Sequence, residues 1–79
     1  GPITHVMLEA GSAIVDNVLT LSATRDRVDA IFLSILTRQP TSADRRIAAG
    51  ELSRTRQDNK GYGNIVWGLL NTREFLFIQ

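Results

Sequence analysis

The chain has no cysteine, so neither a disulfide framework nor a thiolate metal site can hold it together. It has one histidine, one methionine, one tryptophan, one tyrosine and two prolines. Nowhere do about 18 apolar residues run together, which excludes a transmembrane helix. The chain does not open on a charged-then-apolar leader. Its net charge of +1 is too small to create a strong field toward nucleic acid or membrane.

What remains fits an ordinary globular domain. Hydrophobic residues make up 43% and charged residues 22%. At 79 residues there is room for one domain only. A core of this size supplies roughly 3–5 kcal/mol of net stability. A start at Gly1-Pro2, whether native or left by removal of a tag, gives the expectation of a piece cut from a longer protein. Eight of the nine basic residues are arginine, the side chain suited to fixed ion pairs.

The densest apolar stretch is Ile65 to Gln79, IVWGLLNTREFLFIQ. Ile65, Val66, Leu69 and Leu70 recur at helical spacing around Trp67, with Phe75 and Phe77 following. Three of the five aromatics fall here, so this stretch is expected to form an interior helix that closes the core between the first two helices.

Three further helices are expected. The first runs from Ser12, as N-cap, to Leu21, with Ile14, Val18 and Leu21 on one face. The preceding Ile3 to Ala10 is either a separate helical turn broken by Gly11 or an extended lead-in. In the second, Val28, Ile31, Phe32, Ile35 and Leu36 form one apolar stripe. Thr24 is its expected N-cap, and Pro40 should end it near Arg38. The third opens on Thr41, with Asp44 completing a capping box. Its body, Ala43 to Arg56, has only Ile47 and Leu52 as large apolar residues and should be the most exposed helix. Gln57 to Gly63 reads as a polar, glycine-bearing loop, after which the last helix starts near Tyr62 to Asn64. Short connections favour antiparallel neighbours. The expected architecture is all-α, a compact four-helix bundle-like module over residues 1–79.

Two segments carry a resemblance. Leu36-Thr37-Arg38-Gln39-Pro40-Thr41 joins two helices, and Trp67-Gly68-Leu69-Leu70-Asn71-Thr72-Arg73-Glu74-Phe75-Leu76-Phe77 ends the chain. In this order and separation they resemble the C-terminal part of the planctomycete surface domain family. The likeness extends from about Gly11 to Phe77, with Gly68 where the family more often has alanine. It implies a module at the C-terminal end of large exported or envelope-associated bacterial proteins. It implies no established activity and no catalytic residues.

The candidate chemistry is thin. His5 has no metal-ligand cluster around it. Asp26 and Asp29 lie in a first helical turn, where solvated charge is expected. Gly61-Tyr62-Gly63 lacks the strand a phosphate loop requires. Arg45, Arg46, Arg54, Arg56 and Lys60 could form a basic face, but Asp44, Glu51 and Asp58 dilute it and no aromatic is interleaved. Glu74, inside the most apolar segment, needs a partner. It is expected to pair with Arg38 or to cap amides near the Pro40 turn, the alternative being a Glu74 exposed on the outer face of the last helix.

No catalytic, cofactor-binding or metal residue is therefore assigned. Structural roles are expected for Arg38, Pro40, Thr41, Trp67, Asn71, Glu74 and Phe75. The leading reading is a non-enzymatic packing or interaction module with no cofactor. Its partners would be other domains of a parent protein or a separate protein, not nucleic acid and not membrane. The alternatives are a small helical nucleic-acid-binding domain and the closing helical segment of an enzyme.

Overall fold

The computed structural model describes residues 5–78, with side chains through Phe75. The chain is all-α and bundle-like, with no strand among the described residues. The described residues form five helices: α1 (His5–Val18), α2 (Thr24–Leu36), α3 (Ser42–Arg54), α4 (Asp58–Leu70) and α5 (Arg73–Ile78). Ile3 of the expected lead-in and the side chain of Phe77 fall outside the described residues. No described helix is long and apolar enough to cross a membrane.

α4 is the central element and packs against each of the other four. Its Val66 and the α2 residue Ile31 are both 0% exposed, and Tyr62 joins them as the largest fully buried side chain. The whole α2 stripe, Val28, Ile31, Phe32, Ile35 and Leu36, is buried as its spacing predicts. α1 contributes Val15 and Val18, and α5 contributes Phe75.

Several boundaries differ from those read in the sequence. α1 begins at His5 and runs straight through Gly11, so Ser12 is not an N-cap. Gly11 is buried because the Trp67 ring occupies the place of its side chain. A Cβ built there would lie 2.3 Å from Trp67 Cζ3 and 2.5 Å from Cη2. α1 also stops at Val18, and Leu21, expected on its apolar face, lies exposed in the turn beyond it.

The expected loop from Gln57 to Gly63 is helical from Asp58 onward. Gly61 is not there to break the chain. Its missing side chain lets α4 pass the end of α3, where a Cβ would meet Thr55 Oγ1 at 2.6 Å and Leu52 Cδ2 at 2.9 Å. The last expected helix is two helices, divided at Asn71 and Thr72. Asn71 Nδ2 donates to Trp67 O at 2.8 Å, closing α4, and Thr72 Oγ1 accepts from Phe75 N at 3.2 Å, opening α5.

At the head of α2 the N-cap is Ala23 rather than Thr24, and the helix ends at Leu36. Thr37 then adopts φ 56°, ψ 30°, the only described non-glycine residue at positive φ. Its amide donates back to Leu33 O at 3.1 Å. A β-branched residue is strained in this region. α3 opens as the sequence predicts: Thr41 Oγ1 accepts from Asp44 N at 3.1 Å, and Asp44 Oδ2 accepts from Thr41 N at 2.9 Å.

Candidate interaction surfaces

The turn after α2 delivers Arg38 to the meeting point of α2, α3 and α5. Its Nε donates to Glu74 Oε2 at 2.6 Å and its Nη2 to Glu74 Oε1 at 2.9 Å, a bidentate pair. Its Nη1 donates to Asp44 Oδ2 at 2.8 Å and to Gln39 O at 2.9 Å. The guanidinium lies 5.7 Å from the centre of the Phe32 ring. One arginine thus ties the α3 capping box to the last helix.

Of the residues given structural roles, Arg38, Pro40, Thr41 and Glu74 gather at this end, with Pro40 buried. Phe75 is buried beside them on α5, whereas Trp67 is half-buried against Gly11 and packs elsewhere. Both readings of Glu74 hold in part: it pairs with Arg38, and it also faces solvent. Its side chain is 45% exposed, so the pair is a surface clasp and not a charge sealed in the core.

The clasp makes stability depend on acid. The Arg38 guanidinium holds the Glu74 carboxyl below its ordinary value of 4.5. For Asp44, burial alone would push the carboxyl up; the Thr41 amide and then Arg38 outweigh it and bring it down. A depressed carboxylate stabilises the fold above its unfolded pKa and loses that effect as pH falls through the folded value. Glu74→Gln should lower the melting midpoint by a few degrees at neutral pH. The gap from wild type should close as pH drops below the ordinary glutamate range. Thermal melts followed by circular dichroism would check this; a gap constant with pH would show that the Glu74 charge contributes nothing.

The other ionisable groups form no reaction centre. No group of three or more His, Asp or Glu residues among the described ones could hold a metal ion. His5 pairs with Glu9 at 2.9 Å on the exposed start of α1. Asp29 contacts Arg45 at 2.7 Å, and Glu51 takes both Arg54 and Asn64. Two arginines of the supposed basic face are thus matched by acids.

Two grooves flank α3. The first lies between α3 and α4 and measures about 390 Å³. Its apolar lining comes from Phe32, Ala48, Ile65, Gly68 and Leu69, and Ile47 stands at its edge 73% exposed. No side chain lies within 4 Å of where a Gly68 Cβ would be. Its acids are already engaged: Asp44 holds Arg38 and the Thr41 amide, and Glu51 accepts from Arg54 Nη2 at 2.5 Å and Asn64 Nδ2 at 2.8 Å. Covering this face would strand no unpaired charge. The sequence reading missed Ile47 as a surface feature. Its signal was its isolation: a large aliphatic residue between the charged Asp44-Arg45-Arg46 and the small Ala48-Ala49-Gly50.

The second groove lies between α2 and α3, which pack far less closely on each other than either does on α4. It forms two connected hollows of about 220 and 380 Å³ that share Thr24, Ala49 and Leu52. No family model matches the chain, and no curated protein or solved structure matches it.

Proposed function

We propose that this chain is a non-enzymatic interaction module, and that its α3/α4 groove receives an apolar helical segment of the same parent protein. The observation that carries this reading is Ile47, exposed beside an apolar groove with an internally neutralised rim. An aliphatic residue in that position gains little for a free domain and gains burial when a partner covers it. The small size supports the same reading, because a domain with so modest a core gains stability by docking. The likeness of the Arg38-Gln39-Pro40-Thr41 turn and the Trp67 to Phe77 ending to the planctomycete surface domain family supports a parent that is large, bacterial and exported.

The reading is tested with Ile47→Glu. Because Ile47 is already in solvent, the isolated variant should melt within about 2 °C of wild type, as surface substitutions do. Its affinity for the remainder of the parent protein, added in trans and followed by calorimetry, should fall at least about tenfold, because docking would bury an unpaired carboxylate. Equal binding by wild type and variant would remove this groove as the docking site.

A further inference from the structure

We propose that α5 is a latch on the α3/α4 groove: docked, it holds one end of the groove in its binding shape, so that groove occupancy and α5 docking reinforce each other. The proposal rests on the groove reading above and adds its regulation.

The two ends of the groove are held differently. Its walls run antiparallel, so Glu51 faces Asn64 at one end and Asp44 lies level with Thr72 at the other. The first end is closed within the walls themselves, where Asn64 Nδ2 donates to Glu51 Oε1 at 2.8 Å. The second is bridged through Arg38. Its Nη1 holds Asp44 on α3, while its Nε and Nη2 hold Glu74 in the first turn of α5. Phe32, 5.7 Å beneath this guanidinium, is the groove floor at that end. Thr72 is at once a groove residue and the N-cap of α5. One end of the groove is therefore built from the parts that dock α5.

α5 is a segment able to leave. Its six residues make less than two turns, too short to stay helical without tertiary support. That support is the half-exposed Glu74 pair, the Thr72 cap and the buried Phe75. The turn that presents Arg38 is strained, because Thr37 lies at φ 56° immediately before it. Such a conformation persists only while surrounding contacts over-determine it. Here the four hydrogen bonds of Arg38 do so. Undocking α5 removes the two made to Glu74, and relaxation of Thr37 then draws the guanidinium away from Asp44 and off Phe32. An occupant would now bury the Asp44 wall without its cation, which is costly. The coupling is therefore positive, and linkage makes it reciprocal: whatever fills the groove also holds α5 down.

The test combines amide hydrogen exchange of the full chain with calorimetric binding to the remainder of the parent protein. Glu74→Gln should speed exchange of the α5 amides at least about fivefold and lower the affinity at least about fivefold. Saturating the wild-type groove should slow α5 exchange at least about fivefold. Arg73→Gln, exposed in the same turn but outside the clasp, should leave the affinity within about twofold. Circular dichroism would verify that each variant keeps its helices. If Ile47→Glu binds as well as wild type, the groove reading falls and the latch falls with it. If Ile47→Glu fails to bind while Glu74→Gln binds like wild type, the latch alone falls. It falls as well if Glu74→Gln leaves α5 exchange unchanged, if Glu74→Gln binds more tightly because Arg38 settles wholly on Asp44, or if α5 exchanges equally fast in the free and occupied chains.

Discussion

Phe32→Ala should leave the chain largely unfolded at room temperature. Phe32 is 3% exposed on α2, and its ring lies beneath the Arg38 guanidinium while also lining the α3/α4 groove. Truncating a buried phenylalanine costs about 3–5 kcal/mol in lost transfer energy and cavity. A core of this size supplies about that much in total. The loss is therefore comparable to the whole margin, which would not hold in a larger domain. Removing the ring also takes away the apolar floor against which Arg38 is oriented toward Glu74 and Asp44. Far-ultraviolet circular dichroism with urea titration would measure it. Wild type should show a cooperative transition, and Phe32→Ala a sloping baseline with little helix at zero denaturant. A variant with a sharp transition at nearly the wild-type midpoint would mean that α2 is not the structural spine.

That spine is what the sequence displayed most clearly. The α2 stripe repeats over two turns of large aliphatic and aromatic residues, so periodicity alone placed it. The Thr41–Asp44 box was equally readable because capping is local: both partners lie within one turn. Arg38 and Glu74 are 36 residues apart, yet their meeting was open to inference. A carboxylate in an apolar segment needs a cation, and the helix junction offered one.

Two of the errors were at glycines and polar composition. Gly11 looked like a break, and Gln57 to Gly63 like a loop, because glycine disfavours helix in isolation. In both places the cost is offset by close approach of a distant element, Trp67 onto α1 and Leu52 and Thr55 onto α4. No local window contains that information. The split at Asn71 and Thr72 was hidden for the opposite reason. Apolar residues continue across it, and only Thr72 as an N-cap marked the new start. Both grooves were equally invisible, since they arise from how helices lean and not from any one segment.

Gly11 supplies the second large effect. A methyl group at Gly11 would sit 2.3 Å from the Trp67 ring, a distance that real contacts do not reach. Two effects then oppose each other. Alanine is the better helix former by about 1 kcal/mol. Overpacking against a rigid ring costs about 1–3 kcal/mol. The clashing atoms lie at the far edge of a half-buried ring, which relieves the clash only by leaving its seat on α1. The steric term should win, so Gly11→Ala should destabilise, and Gly11→Val should do so more severely, by about 3 kcal/mol, at the upper end of the overpacking range. A double-mutant cycle isolates the cause. Trp67→Leu alone opens space and destabilises, but in that background Gly11→Ala should become neutral or stabilising, a coupling of about 1–2 kcal/mol. Chemical denaturation of the four proteins would give the value. Additive effects, with Gly11→Ala equally harmful beside leucine, would mean that α1 and α4 are not held by this contact. Gly11→Ala stabilising the wild-type background would mean that the half-exposed ring moves outward at little cost, and that the glycine is a tolerated weakness of α1 instead of the seat on which α4 is fixed.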